Sequence, residues 1–429
     1  MKASELKAKL KNGGYDAALI TLYGGENVGA QRARYCDAAD NFIAIYGDAD
    51  GAGFYSVPGR SEISGNHTDH NYGRVLAASI DLDIIAVAAP ADDNVIRIKS
   101  EGFPEDVVGI SEIAVDEGKF FTSYAVIGGM CDGFAKRGYK IGGLCAYTTS
   151  NVFKGSGLSS SAAFEDMVGN LLNYMYNGAA IDAPTIAVIA QYAENVFFGK
   201  PCGLMDQTAC AVGGFVAIDF ADPASPVIEK LPFDLSGAGY ALCIVNTGGN
   251  HADLNADYAS VPAEMKAVAA VFGRKVLRGL AYDDIASKIP ELREKLGDRA
   301  ILRALHFIEE NDRVKVQGDA LSRGDIDAFF DGVLASGRSS YMKLQNVYTT
   351  VNVAEQGLSL ALAVAEHTLS GCARRAAWRV HGGGFAGTIQ AFVPVEDVER
   401  FRAAEDGAFG AGACHILRVR TVGATKLEG

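Results

Sequence analysis

Lys154-Gly155-Ser156-Gly157-Leu158-Ser159-Ser160-Ser161-Ala162-Ala163 joins two runs of different period. Upstream, residues 141–149 read as a short strand; downstream, Phe164, Met167, Val168, Leu171, Leu172 and Met175 recur at helical spacing. The order is therefore strand, glycine loop, helix. Such a loop is a phosphate cradle: glycines let the backbone approach anionic oxygens closely, successive N–H groups point into the loop, and the helix N-terminus adds partial positive charge. The hydroxyls of the consecutive Ser159, Ser160 and Ser161 supply further ligands for oxygens or for a metal. Taken alone, a serine before an apolar helix is also an ordinary N-cap. The spacing is neither G-x-x-x-x-G-K-S/T nor G-x-G-x-x-G, which excludes the Walker-type and dinucleotide-binding loops.

Three further stretches keep a fixed order around this loop. The first is Val57-Pro58-Gly59-Arg60-Ser61-Glu62-Ile63-Ser64-Gly65-Asn66-His67-Thr68-Asp69-His70-Asn71. The second is Gly199-Lys200-Pro201-Cys202-Gly203-Leu204-Met205-Asp206-Gln207, and the third His381-Gly382-Gly383-Gly384-Phe385-Ala386-Gly387. Alone, the last would read as a glycine turn between two strands. Weaker echoes lie at Arg303 to His306 with Glu309 and Asn311, and at Gly324-Asp325 before Ser336. The phosphate loop resembles the second GHMP-kinase motif, P-x-x-x-G-L-S/G-S-S-A/S. The first stretch resembles the galactokinase signature G-R-V-N-L-I-G-E-H-T-D-Y-N, the second the galactokinase segment with its catalytic aspartate, and the third the third GHMP motif. From about residue 57 to 393 the chain thus resembles a divergent galactokinase-type sugar kinase.

Composition agrees with a globular enzyme. At 429 residues the chain exceeds one ordinary core, so two lobes are expected. Apolar content of 49% with 21% charged residues excludes a disordered chain. No apolar run approaches the roughly 20 residues of a membrane span, and the N-terminus lacks a signal peptide's apolar centre. A cytoplasmic address with no membrane partner is expected. The net charge of −13 argues against a nucleic-acid surface. Eight cysteines without a C-x-x-C pair read as buried free thiols. No internal repeat or linker appears, so the lobes intertwine. Strand-like runs at 84–89, 214–219, 240–246, 376–380, 387–393 and 414–419 alternate with helices such as 120–137 and a helix-rich stretch over 261–368. That mixture predicts an α+β fold of two lobes. The resemblance implies an active site in the cleft between a lobe of residues 1–205, carrying the sugar signature and phosphate loop, and a lobe of 206–429, carrying the third glycine motif.

Asp206 opens a short helix over 204–211, where a first-turn carboxylate is favoured by the dipole and stays ionised. Alone it would be a dipole-complementing acid, and Arg60 after Pro58-Gly59 a solvated residue. The resemblance implies that Asp206 faces the anomeric hydroxyl as base or positioner and that Arg60 holds it charged while stabilising the transferring phosphoryl group. It implies ATP against Gly155, Ser156, Gly157, Leu158, Ser159, Ser160, Ser161 and Ala162. It implies Mg2+ on Ser159 and Glu194, although Glu194 alone reads as an exposed helix glutamate. Sugar contacts fall by resemblance to Asn66, His67, Asp69, Gly203, Asp206 and Tyr258. The partners implied are a small-molecule sugar and ATP, and a monomer or weak homodimer is expected.

The chain departs from the family at Asn66 (family Glu), Glu62 (Asn), His70 (Tyr), Ser64 (apolar) and His381 (commonly Thr). Asn66 is shorter than Glu and uncharged, which predicts broader tolerance at the sugar's sixth carbon. Glu62 could restore the charge only if both residues shared one side of a helical turn. Galactose remains the best single substrate because Asp69, Asp206 and Tyr258 are kept; galacturonate, N-acetylgalactosamine or a related sugar are the alternatives. A non-catalytic sensor would be marked by a damaged serine loop or a lost Asp206, and both are intact here.

Overall fold

Residues 84–89 are apolar without interruption, the pattern of a strand covered on both faces. The computed structural model, which describes residues 1–153, 157–249 and 254–429, shows this arrangement. Lys154, Gly155 and Ser156 of the phosphate loop, and 250–253 of the loop after residue 246, lie outside the described residues.

The strands are β1 (Gly53–Ser64), β2 (Arg74–Ala91), β3 (Val95–Ser100), β4 (Glu105–Gly109), β5 (Gly143–Ser150), β6 (Phe215–Asp219), β7 (Val227–Leu231), β8 (Tyr240–Asn246), β9 (Ala377–Val380), β10 (Thr388–Pro394), β11 (Cys414–Leu417) and β12 (Thr425–Lys426). A mixed sheet has the order β12-β1-β2-β5-β3-β4, with β6 also on β2 and β7 on β6. Among the described residues only β3 and β5 run parallel. Along β2, Ile84, Ala86 and Ala88 face the helices Ser123–Lys136, Ser160–Tyr176 and Ala183–Tyr192. Ile85, Val87 and Ala89 face the N-terminal helices Ala3–Lys11, Asp16–Tyr23 and Val28–Tyr46. The period of two thus buries both faces of one strand.

The second sheet is antiparallel, β11-β8-β10-β9. Leu242 and Ile244 of β8 join Leu76, Ala78 and Phe215 of the first sheet in one core, with Phe329, Phe330 and Phe392. Cys243 and Val245 point the other way, under the helices Gly357–Leu369 and Val398–Phe409. The helices and mixed and antiparallel sheets make an α+β fold. The first sheet also takes β6, β7 and the C-terminal β12, so its strands come from both sides of residue 205. A buried ion cluster fastens the chain ends to it: Asp83 accepts from Arg34 (2.5 Å), Arg420 (3.2 Å), Tyr23 (2.5 Å) and Ser56.

Most sequence-read elements reappear within a few residues. The helix read over 120–137 starts at Ser123, capped by Thr122, whose hydroxyl accepts from Ala125 N. The cysteines are free thiols, with Cys145, Cys202 and Cys372 partly exposed. Among the described residues no helix is long and apolar enough to cross a membrane.

Candidate active site

The site begins where β1 passes the phosphate loop. The β1–β2 register shifts between Pro58 and Arg60, and Arg60 N donates to Leu158 O at 3.1 Å. A Cβ on Gly59 would sit 2.7 Å from that carbonyl and 3.1 Å from Val152 Cγ1, so only glycine allows the approach. Gly59→Ala is accordingly expected to cost about 1–3 kcal/mol by overpacking and to lower turnover by moving Arg60. Urea titration with steady-state kinetics checks this; an unchanged midpoint would mean that the loop yields freely.

Arg60 is buried rather than solvated. Its Nε and Nη2 donate to the two carboxylate oxygens of Asp206 at 2.8 and 2.7 Å, and Nη1 donates to Gly157 O. This is the fork-to-fork geometry that makes Arg–carboxylate pairs strong. Asp206 lies in the first turn of the helix Met205–Val212. Ser159 Oγ donates to Asp206 Oδ2 at 2.5 Å, from a left-handed backbone (φ 59°) that caps the helix Ser160–Tyr176. Burial works against the Asp206 charge, but the Arg60 guanidinium, the Ser159 hydroxyl and Lys200 outweigh it and hold the carboxyl below the usual range. Leu158 and Ala162 are buried in the core, leaving only their backbones to a ligand, whereas Ser161 is exposed and Ser160 partly so.

The signature loop supplies the adjoining wall. A cavity of about 160 Å³ is lined by Glu62, Asn66, His67, Asp69, His70 and Gly383, among others. Asp69 Oδ1 accepts from His70 N at 2.9 Å, and a Cβ on Gly203 would stand 3.0 Å from Asp69 Oδ2. Gly203 thus brings Asp69 to within three residues of Asp206. His67 Nε2–H donates to Gly383 O at 2.9 Å, and burial pushes the imidazole down to about 4, so it is neutral with Nδ1 bare. Tyr258 donates to Gly384 O at 2.8 Å and packs edge-on against Phe385. Burial and then Asp257 push its phenol up to about 12.

Asn66 meets Glu62 without a helical turn: Asn66, in the turn after β1, donates from Nδ2 to Glu62 Oε1 at 2.9 Å and to Gly382 O at 2.6 Å. Its Oδ1 accepts from Asn346 Nδ2 at 2.6 Å. The amide is spent on the protein.

Glu194 is buried in a π-helical turn, Ala193–Phe198, not exposed on a regular helix. Its carboxylate takes Lys200 Nζ at 3.1 Å and Gln207 Nε2 at 2.8 Å, and the same amide nitrogen donates to Glu165 Oε2 at 2.9 Å. Burial and then the Glu194 charge push Glu165 up to about 8.

Residues to which the sequence assigns no role support the site. Glu310 accepts from Ser64 Oγ, Gly65 N, Ser336 Oγ and Arg313, fixing the turn that carries Asn66. His306, one helical turn earlier, donates from Nε2 to Asn66 O at 3.0 Å. Their i, i+4 spacing was the available signal. His381 is buried with Nδ1 on Thr388 Oγ1 at 2.8 Å and Nε2 unpartnered among the described residues. Its Cε1 lies 3.5 Å from where a Gly157 Cβ would be, and burial, then Arg60, push it down to about 3.

Comparison with known proteins bears on this arrangement. Residues 40–90 match the galactokinase galactose-binding signature, and residues 125–214 match the GHMP kinases N terminal domain. A Streptomyces coelicolor galactokinase is 30% identical over 387 residues, covering 89% of this chain and 94% of that protein. One from Glaesserella parasuis is 33% identical over 353 residues, 81% and 86% of the two chains. Lactococcus lactis galactokinase complexed with galactose superposes with a TM-score of 0.74 at 23% identity, over 90% of this chain and 98% of that one. Methanococcus jannaschii mevalonate kinase superposes with a TM-score of 0.60 at 13% identity, over 86% and 99%.

Proposed function

The chain belongs to the galactokinase family, and from that premise we propose how its cleft phosphorylates galactose with ATP. The observation that carries the reading is the Arg60–Asp206 fork, set between the serine loop and the wall holding Asp69 and Gly203. Asp206 remains an acceptor at neutral pH, so it can orient the anomeric hydroxyl and take its proton as the phosphoryl group transfers. Arg60 is fixed by three donations before substrate arrives, and its charge needs little reorganisation as negative charge moves in the transition state. Transfer through a loose transition state depends mainly on such positioning. Gly157, Leu158, Ser159, Ser160, Ser161 and Ala162 are the part of the nucleotide cradle among the described residues; Gly155 and Ser156 complete it in sequence. His67, Asp69, Gly203 and Tyr258 are assigned to the sugar, while Asn66 supports that wall from behind.

Mg2+ fits the donor set. Glu194 and Glu165 are buried carboxylates sharing one amide nitrogen, so two acids there have a single amide donor in common. Ser159 keeps an acceptor lone pair after donating to Asp206. Ser159 and Glu194 would hold the ion, which when bound neutralises phosphate oxygens and leaves the chain's own groups to orient the sugar.

The test is ADP release across galactose, galacturonate, N-acetylgalactosamine and glucose with the purified protein. Galactose is expected to give the highest kcat/KM. Calorimetric binding of galactose and ATP without ADP release would replace this reading with a sensor.

A further inference from the structure

In the signature, carboxylate and amide have changed places: Glu62 stands where the family has Asn, and Asn66 where it has Glu. The two side chains touch. Asn66 is 1% exposed, and both of its N–H donors and its carbonyl are used by Glu62, Gly382 and Asn346. It has nothing left to offer a ligand. Glu62 differs: Oε1 is fixed by Asn66, whereas Oε2 has no hydrogen-bond partner among the described residues. Glu62 also lines the sugar cavity beside Asp69 and His67. An Oε2 that lines the cavity without a protein donor is an acceptor open to a ligand hydroxyl.

Resting on the galactose reading, we propose that Glu62 is a specificity-determining carboxylate of the sugar pocket. Its Oε2 accepts from one sugar hydroxyl, and Asn66 is the positioning residue that aims it. The exchange in sequence therefore keeps an acid in the pocket, four residues before the position where the family carries it. It follows that a sugar bearing its own carboxylate is disfavoured, opposite to the tolerance that Asn66 alone suggests. Burial pushes Glu62 up to about 7 against the pull of Arg379, the Asn66 amide and Arg60, with Asp69 adding to the rise. His67 and His70 line the same cavity. Rejection of galacturonate should therefore strengthen as pH rises through neutrality.

The experiment compares wild type with Glu62→Gln on galactose, its four monodeoxy analogues and galacturonate. One deoxy analogue should lose about tenfold less kcat/KM in Glu62→Gln than in wild type, identifying the hydroxyl that Oε2 contacts. The galacturonate/galactose ratio should rise about tenfold in Glu62→Gln, and its fall between pH 6 and 8 should be present in wild type and absent in the variant. The double exchange Glu62→Asn with Asn66→Glu should restore rejection of galacturonate. Equal losses for every analogue in both proteins, with an unchanged ratio, would overturn the proposal while leaving galactose phosphorylation standing. A wild type that does not phosphorylate galactose would instead remove the functional reading beneath it.

Discussion

Asp206→Asn is expected to lower kcat by about 10³-fold or more, the upper range for loss of a positioned acid–base group, while ATP binding is retained. The amide is nearly the same size, so the effect is electronic. Asn can accept from only one of the two Arg60 donors and turns its own NH2 toward the other. Ser159 loses a charged acceptor at 2.5 Å. Arg60 then keeps a buried charge with one acceptor fewer and no carboxylate, left with the amide oxygen and Gly157 O. Asp206's side chain is 33% exposed, so water offsets part of that loss; the stability cost is expected near 1–2 kcal/mol, below that of a fully buried broken pair. Single-turnover kinetics and calorimetry with ATP separate the two effects. A variant within a few-fold of wild type would show that Asp206 neither takes the proton nor aims the hydroxyl. The pH profile divides those roles further. Burial, overcome by Arg60 and Ser159, leaves the carboxyl below its ordinary range. Asp206 therefore stays ionised through mildly acidic solution, and an acid limb near neutrality would belong to another group.

What the sequence made legible is what local chemistry dictates. Residues 240–246 read as a strand and form β8, because alternate residues meet two cores. The glycine loop and its helix are legible because Gly157, Ser159 and the apolar stripe from Phe164 to Met175 all act within a few turns. Asp206 and Arg60 come by pattern, but their bidentate pairing joins residues far apart in the chain and follows from no local rule. The support of Asn66 is more distant still, at Asn346 and Gly382. Glu194 misleads for a geometric reason: a π turn adds a residue to the helical period and rotates it from the exposed face into the interior.

Gly384→Ala shows how strongly that distant support bears on the sugar wall, and it should lose about 2–5 kcal/mol of stability from two additive sources. One is conformational: Gly384 has φ 77°, where an L-residue costs about 1–2 kcal/mol. The other is steric: the new Cβ would lie 2.0 Å from Asn346 O and 2.6 Å from Asn346 Nδ2, and overpacking costs about 1–3 kcal/mol. The struck group is a backbone carbonyl that accepts from Phe385 N at 2.5 Å, so it cannot swing aside. Displacing Asn346 releases the Asn66 carbonyl it holds, and through Asn66 the Glu62 carboxylate. KM for galactose should therefore rise about tenfold, the factor equivalent to 1.4 kcal/mol, with kcat changed less because Asn346 does not touch Arg60 or Asp206. Gly157→Ala is the internal control. Its φ is 72°, nearly the same, yet among the described residues its Cβ would meet nothing closer than His381 Cε1 at 3.5 Å. It should lose only the conformational part, about 1–2 kcal/mol. Urea titration of the two variants isolates the steric contribution. Equal losses would mean that the third glycine motif needs its backbone angle alone and that Asn346 is free to move.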